Sequence, residues 1–200
     1  MREIVPGVLT WPWFSEKHGY DFNGHLVLQE GGNLAVDPVE PGPGVLDALA
    51  ARGVAFILLT NRNHFRAAEA LRQRTGARVL VHDDDAAFVK GKGVEVGGAL
   101  APGARVGPFT VLDASGKSPG EVALHWPERR LLLVGDACVG KSPGVLGLLP
   151  PAVIDDLPRL HRSLRRLAAL DLETLLVGDG HSLLTGASAA LRALAAGLPG

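Results

Sequence analysis

Three stretches of the 200-residue chain carry residue types whose spacing could do chemistry. In Leu131–Gly144, LLLVGDACVGKSPG, Gly135 is followed by four residues and then by Gly140-Lys141-Ser142. That is the spacing of a phosphate-cradling loop, and it follows a leucine- and valine-rich run that reads as a strand. Such a loop works because its backbone N–H groups and the N-terminus of the next helix converge on the anion. The residues after Ser142 are PGVLGLLPP, and inside a helix each proline costs about 3 kcal/mol and each glycine about 1 kcal/mol. No long helix is expected there, so the sequence argues against nucleotide binding; on that reading Asp179, closing TLLVGD, would have been the Mg²⁺ carboxylate.

The second stretch is Thr60–Arg66, TNRNHFR, directly after the buried-strand run VAFILLT. Asn61 and Asn63 are neutral, hard donors better suited to Ca²⁺ or Mg²⁺ than to zinc, and equally good turn formers whose side chains satisfy nearby backbone. His64 reads as capping or packing at a helix start, and no nucleophile accompanies it. The third is LLVGDGHS, which offers Asp179 and His181. His82 before Asp83-Asp84-Asp85 suggests a metal cluster, but carboxylates opening a helix are favoured by its dipole and read as caps. His18, Tyr20, Asp21 and His25, near Trp11, Trp13 and Phe14, read as aromatic packing, and His125 and His161 as surface residues. Cys138 has no sequence partner and reads as a buried structural thiol.

The composition, 46% hydrophobic and 20% charged, is that of a globular chain with a sizeable core. A net charge of −1 gives no field to attract nucleic acid or an anionic membrane, so neither is expected as a partner. One cysteine and an opening MREIVPGVLTWPWF without a basic-then-apolar pattern predict cytoplasmic residence. The longest apolar stretch, PGVLGLLPPAVI, is too short and proline-broken to span a bilayer.

The elements that must position these residues follow from hydropathy and punctuation. REIVPGVLTW, GHLVLQE and LAVDP predict a β-rich opening, followed by the helix GVLDALAARG, the strand VAFILLT, the helix FRAAEALRQRTG and the strand ARVLVH. FTVLDAS is a strand, and EVALHWPE with RRLLLVGD predicts a hairpin turning at Pro127–Arg129. Leu157, Leu160, Leu164, Leu167 and Leu170 recur at helical spacing opposite Arg162, Arg165 and Arg166, with Asp155 or Asp156 as N-cap and Pro158 in the first turn. A last strand, ETLLVGDG, and a last helix, GASAALRALAAG, complete the pattern. Two β-rich halves, each finished by helices, predict two sheets face to face with helices outside.

Read together, these segments resemble the metallo-β-lactamase fold superfamily, whose hydrolases include glyoxalase II-like thioesterases. GHLVLQEGGNLAVDPVEP is similar to its opening hairpin ending in an aspartate, and ILLTNRNHFRAAEALRQRTGARVLVHDDDA to its metal-motif strand, helix and next strand. GKSPGEVALHWPERRLLLVGDACVG is similar to its histidine-Pro-Gly segment, hairpin and Gly-Asp strand end, and LLVGDGHS to its last Gly-His-Gly segment. The resemblance implies an α/β chain forming one domain over residues 1–200, a four-layer αββα sandwich of two mixed β-sheets flanked by helices. It also implies a dinuclear zinc site on His-x-His-x-Asp-His. Here those positions hold Asn61, Asn63, Phe65 and Arg66; Lys117 stands for the histidine before Ser118-Pro119-Gly120, Asp179 for the last histidine with His181 displaced, and only Asp136 is unchanged.

Cationic Arg66 and Lys117 repel a metal, so the expectation is a chain without metal or other cofactor. In it Asn61, Asn63, His64, Arg66, Lys117, Asp136, Asp179 and His181 mark the ancestral site, and Lys117 or Arg66 ion-pairs with Asp136. The function expected is a metal-free binder of a small anionic ligand, or a scaffold. The alternative is an ester or thioester hydrolase with one metal on Asp136, His181 and Asp179 or His64. Neither substrate nor oligomeric state follows from the sequence.

Overall fold

The computed structural model describes residues 1–199, which fall into two compact units divided after Leu100. The first unit is a seven-stranded mixed sheet in sequence order. Strands β1 (Arg2–Val5), β2 (Val8–Ser15), β3 (Tyr20–Val27) and β4 (Asn33–Val36) run antiparallel, and β4, β5 (Val54–Leu59), β6 (Arg78–Val81) and β7 (Gly98–Ala99) run parallel. Parallel neighbours need crossovers, supplied by α1 (Val45–Ala51), α2 (Ala68–Thr75) and α3 (Asp83–Gly91). REIVPGVLTW folds into the β1–β2 hairpin, with Gly7 at φ 75° in its turn. Pro12 is tolerated because β1 pairs only with Val8–Thr10, leaving β2 beyond that point without a neighbour on its outer side.

The second unit is a five-stranded sheet in the order β14-β11-β10-β9-β8, with a separate two-stranded ribbon. Strands β8 (Arg105–Val106), β9 (Phe109–Asp113), β10 (Val122–Trp126) and β11 (Leu131–Val134) are antiparallel, and β14 (Thr174–Val177) lies parallel to β11. Both β11 and β14 are buried along their whole length, as unbroken apolar runs demand. Their side chains pack with helices α4 (Leu157–Ala168) and α5 (Ala187–Ala196).

Helix α4 begins where expected: Asp156 caps it by accepting a 2.8 Å bond from the Arg159 amide, and Leu160, Leu164 and Leu167 are buried. His161, expected on the surface, is 7% exposed and belongs to the packed face. Among the described residues no helix is long and apolar enough to cross a membrane.

The residues after Gly135 form β12 (Val139–Ser142) and β13 (Val145–Gly147), an antiparallel ribbon. The chain turns back at Pro143-Gly144, where a phosphate loop would start its helix. Neither ATP nor GTP with Mg²⁺ should therefore raise the melting temperature; a saturable rise abolished by Lys141→Ala would contradict this ribbon's lack of an anion cradle.

Candidate metal centre at the strand ends

The parallel pairing of β11 with β14 sets Val134 against Val177. Asp136 and Asp179 each lie two residues beyond that pair, so register alone delivers both to one edge of the sheet. Each is 5% exposed, and one oxygen of each lies within 4.8 Å of the other. Glycine makes the approach possible. The Gly140 amide donates to the Asp179 carbonyl at 2.9 Å, and the His181 amide to the Gly140 carbonyl at 2.6 Å. A Cβ on Gly180, whose φ is +86°, would meet the Gly140 carbonyl oxygen at 2.2 Å. His181 itself is exposed and enters through its backbone.

Antiparallel pairing of β9, β10 and β11 brings the 114–121 loop to the same edge. Helix α4 anchors that loop: Asp156 N donates to the Gly116 carbonyl at 2.8 Å, Asp155 N to the Lys117 carbonyl at 3.3 Å, and Ser163 Oγ to the Ser115 carbonyl at 2.7 Å. Lys117 Nζ then lies 2.6 Å from Asp136 Oδ2, both side chains being buried. Of the two cations set against Asp136 by sequence, Lys117 is the one that makes this contact. Buried Glu121 accepts from the Asp136 amide at 2.7 Å and fixes the turn. It is a positioning carboxylate that the sequence reading missed, its only signal being an acid abutting the apolar run VALHW.

Asp113, at the end of β9, anchors the same loop. Ser115 N and Oγ donate to its Oδ1 at 3.0 and 2.5 Å, and Arg166 to its Oδ2 at 2.6 Å. Partial burial pushes this carboxyl upward, but the Ser115 bonds and the charges of Arg166 and Arg159 prevail and hold it below its ordinary value of 3.8. Burial and the nearby Glu121 charge push the Cys138 thiol up to about 12, which makes it structural and inert.

In the first unit, Asp37 ends β4 with φ 48° and accepts from Thr60 N at 2.8 Å and Thr60 Oγ1 at 2.5 Å. His64 Nδ1 lies 2.9 Å from Asp37 Oδ2, and both residues are buried. A carboxylate on one ring nitrogen sets the tautomer and aim of the other, the arrangement found behind ligating histidines. His64 is thus oriented by a partner outside the motif, more than the packing residue its position suggested. Asn61 is buried and accepts from the exposed Asn63's amide at 2.8 Å, forming the turn. Asp85 accepts from the Arg62 amide at 2.9 Å and so holds the loop rather than capping α3, whose cap is His82. The Arg66 guanidinium stacks 4.2 Å above Phe22, and Trp13, His18 and Tyr20 extend that aromatic group.

A family model described as the metallo-beta-lactamase superfamily matches residues 2–198. The hydroxyacylglutathione hydrolase of Fuscovulum blasticum is 34% identical over 168 residues, covering 78% of this chain and 60% of that protein. The chain thus spans about three fifths of that relative's length. Among solved structures, a metallo-β-lactamase from Pontibacter korlensis superposes with TM-score 0.78 at 18% identity over 98% of both chains. TTHA1623, solved in a di-iron-bound form, does so with TM-score 0.67 at 26% identity, covering 86% of this chain and 93% of that one. The α/β fold expected from sequence is confirmed by these likenesses.

The expectation of a chain without metal is corrected by the same findings. A related chain is described with iron bound. The site also fits a cation on its own chemistry, since Asp136 and Asp179 are two buried hard-oxygen donors whose mutual repulsion calls for positive charge. Lys117 supplies one unit of it.

Two outcomes follow for stability. Gly180→Ala should cost more than about 1 kcal/mol in urea denaturation, because backbone contact and φ both oppose a side chain; an unchanged midpoint would refute the close approach. Asp113→Asn should destabilise the protein at neutral pH. The wild type's lowered carboxyl contributes stability that is present above pH 3.8 and lost as pH falls through its folded value. The gap between variant and wild type should therefore close on acidification, and a gap independent of pH would contradict the assignment.

Proposed function

The chain belongs to the metallo-β-lactamase superfamily, and from that premise we propose that it hydrolyses an ester or thioester at a rebuilt site for a single metal ion. The observation that carries this reading is the buried pair Asp136 and Asp179, aligned by strand register. The likeness to hydroxyacylglutathione hydrolases supports a thioester as the first substrate class to test. Asp136 and Asp179, both in the second unit, would give the ion two carboxylate donors. Bound between these carboxylates, a metal would supply Lewis-acid chemistry: a more acidic water and a polarised acyl carbonyl.

The chain's own residues supply the rest. Glu121 keeps the Asp136 backbone in place, so that carboxylate needs little rearrangement. Within the first unit, Arg66, stacked over Phe22, would receive the carboxylate of a small anionic ligand. On this reading residues 1–200 form one domain working in the cytoplasm, where the one cysteine stays a thiol.

The test is elemental analysis of protein purified without added metal, with turnover of an S-acylglutathione and a p-nitrophenyl ester. About one equivalent of zinc, iron or manganese is expected, with turnover removed by chelator and restored by metal. Asp136→Ala and Asp179→Ala should each lower kcat/KM by at least about 100-fold. Folded protein that carries no metal and shows no turnover would overturn the proposal.

A further inference from the structure

We infer that Lys117 is a built-in competitor for the metal: its ammonium holds Asp136 Oδ2, and a divalent cation entering the carboxylate pair must displace it or share that oxygen with it. The inference rests on the metal-site reading above and names what sets the strength of that site. Lys117 Nζ stands 2.6 Å from Asp136 Oδ2, with side chains 7% and 6% exposed, so water screens the contact little. The lysine is delivered there by a fixed backbone. The Asp155 amide bonds its carbonyl and the Asp156 amide that of Gly116. Gly116, at φ +143°, lies so close to α4 that a Cβ would meet Leu160 N at 2.3 Å. A cation tethered in this way is present at the carboxylate at high effective concentration and does not diffuse away.

Charge counting makes the competition specific. Asp136, Asp179 and Lys117 together carry one net negative charge. A divalent ion on Asp136 would set its own charge and the ammonium's against one another on a single carboxylate in a buried setting. With a neutral side chain at position 117, the same ion would balance the two carboxylates. A guanidinium would keep the penalty.

The experiment measures zinc affinity by isothermal titration calorimetry for wild type, Lys117→Met and Lys117→Arg, each also melted with and without zinc. Lys117→Met should bind at least about 10-fold more tightly than wild type, and Lys117→Arg within about threefold of it. Because Lys117→Met removes the ammonium from Asp136, its melting temperature should rise with zinc by more than wild type's does. Equal affinities for wild type and Lys117→Met overturn the inference and leave the hydrolase reading standing. Zinc binding by Lys117→Met but not by wild type sustains the inference and sinks that reading, and binding by neither overturns both. A Lys117→Met chain that stays unfolded in saturating zinc, or a Lys117→Arg chain that gains 10-fold, also counts as refutation.

Discussion

Two carboxylates buried side by side cannot both stay ionised without positive charge beside them, and the C-terminal unit is built around meeting that demand. The register of β11 and β14 forces Asp136 and Asp179 onto one edge, and the contact of Gly140 with Gly180 closes the two loops together. The 114–121 loop, pinned by the start of α4, brings Lys117 to Asp136. A lysine taken out of water is costly by itself, and the positive φ of Gly116 and Gly180 together with their tight backbone contacts leaves room only for glycine. They make sense as parts of one device that holds negative charge in place and controls what neutralises it.

The N-terminal unit applies the same economy of design. Asp37 follows β4, Thr60 and the 61–64 turn follow β5, and His82–Asp85 follow β6, all at the carboxyl ends of parallel strands. That is where open α/β sheets present side chains to ligands. The strands are rigid, and the chemistry sits in short loops whose shape comes from hydrogen bonds: Asn61 to the Asn63 amide, Asp85 to the Arg62 amide, Asp37 to Thr60. A histidine held by a buried carboxylate emerges from the turn after β5.

Much of this was legible in the residues. Apolar runs marked the strands, leucine spacing marked α4, and the glycines and prolines after Ser142 excluded a phosphate loop. Lys117 and Asp136 could be set against each other because a conspicuous lysine and aspartate fell on corresponding motif positions. The sequence was less informative where a role depends on tertiary partners. Glu121 and Asp85 act on backbone amides 15 and 23 residues away, and His161 is buried on a helix whose arginine-rich composition suggested solvent. The inference that cations at positions 66 and 117 exclude metal failed for a related reason. Residue identities give the charges present, but whether Asp136 and Asp179 still offer a cation site depends on register, which brings their oxygens together.

The most direct test of this account is a crystal soaked in zinc and measured at the zinc absorption edge. It predicts an anomalous peak at ligand distance from Asp136 and Asp179, with Lys117 Nζ moved off Asp136 Oδ2. A diffraction map with no peak there and the lysine still on that oxygen would contradict it.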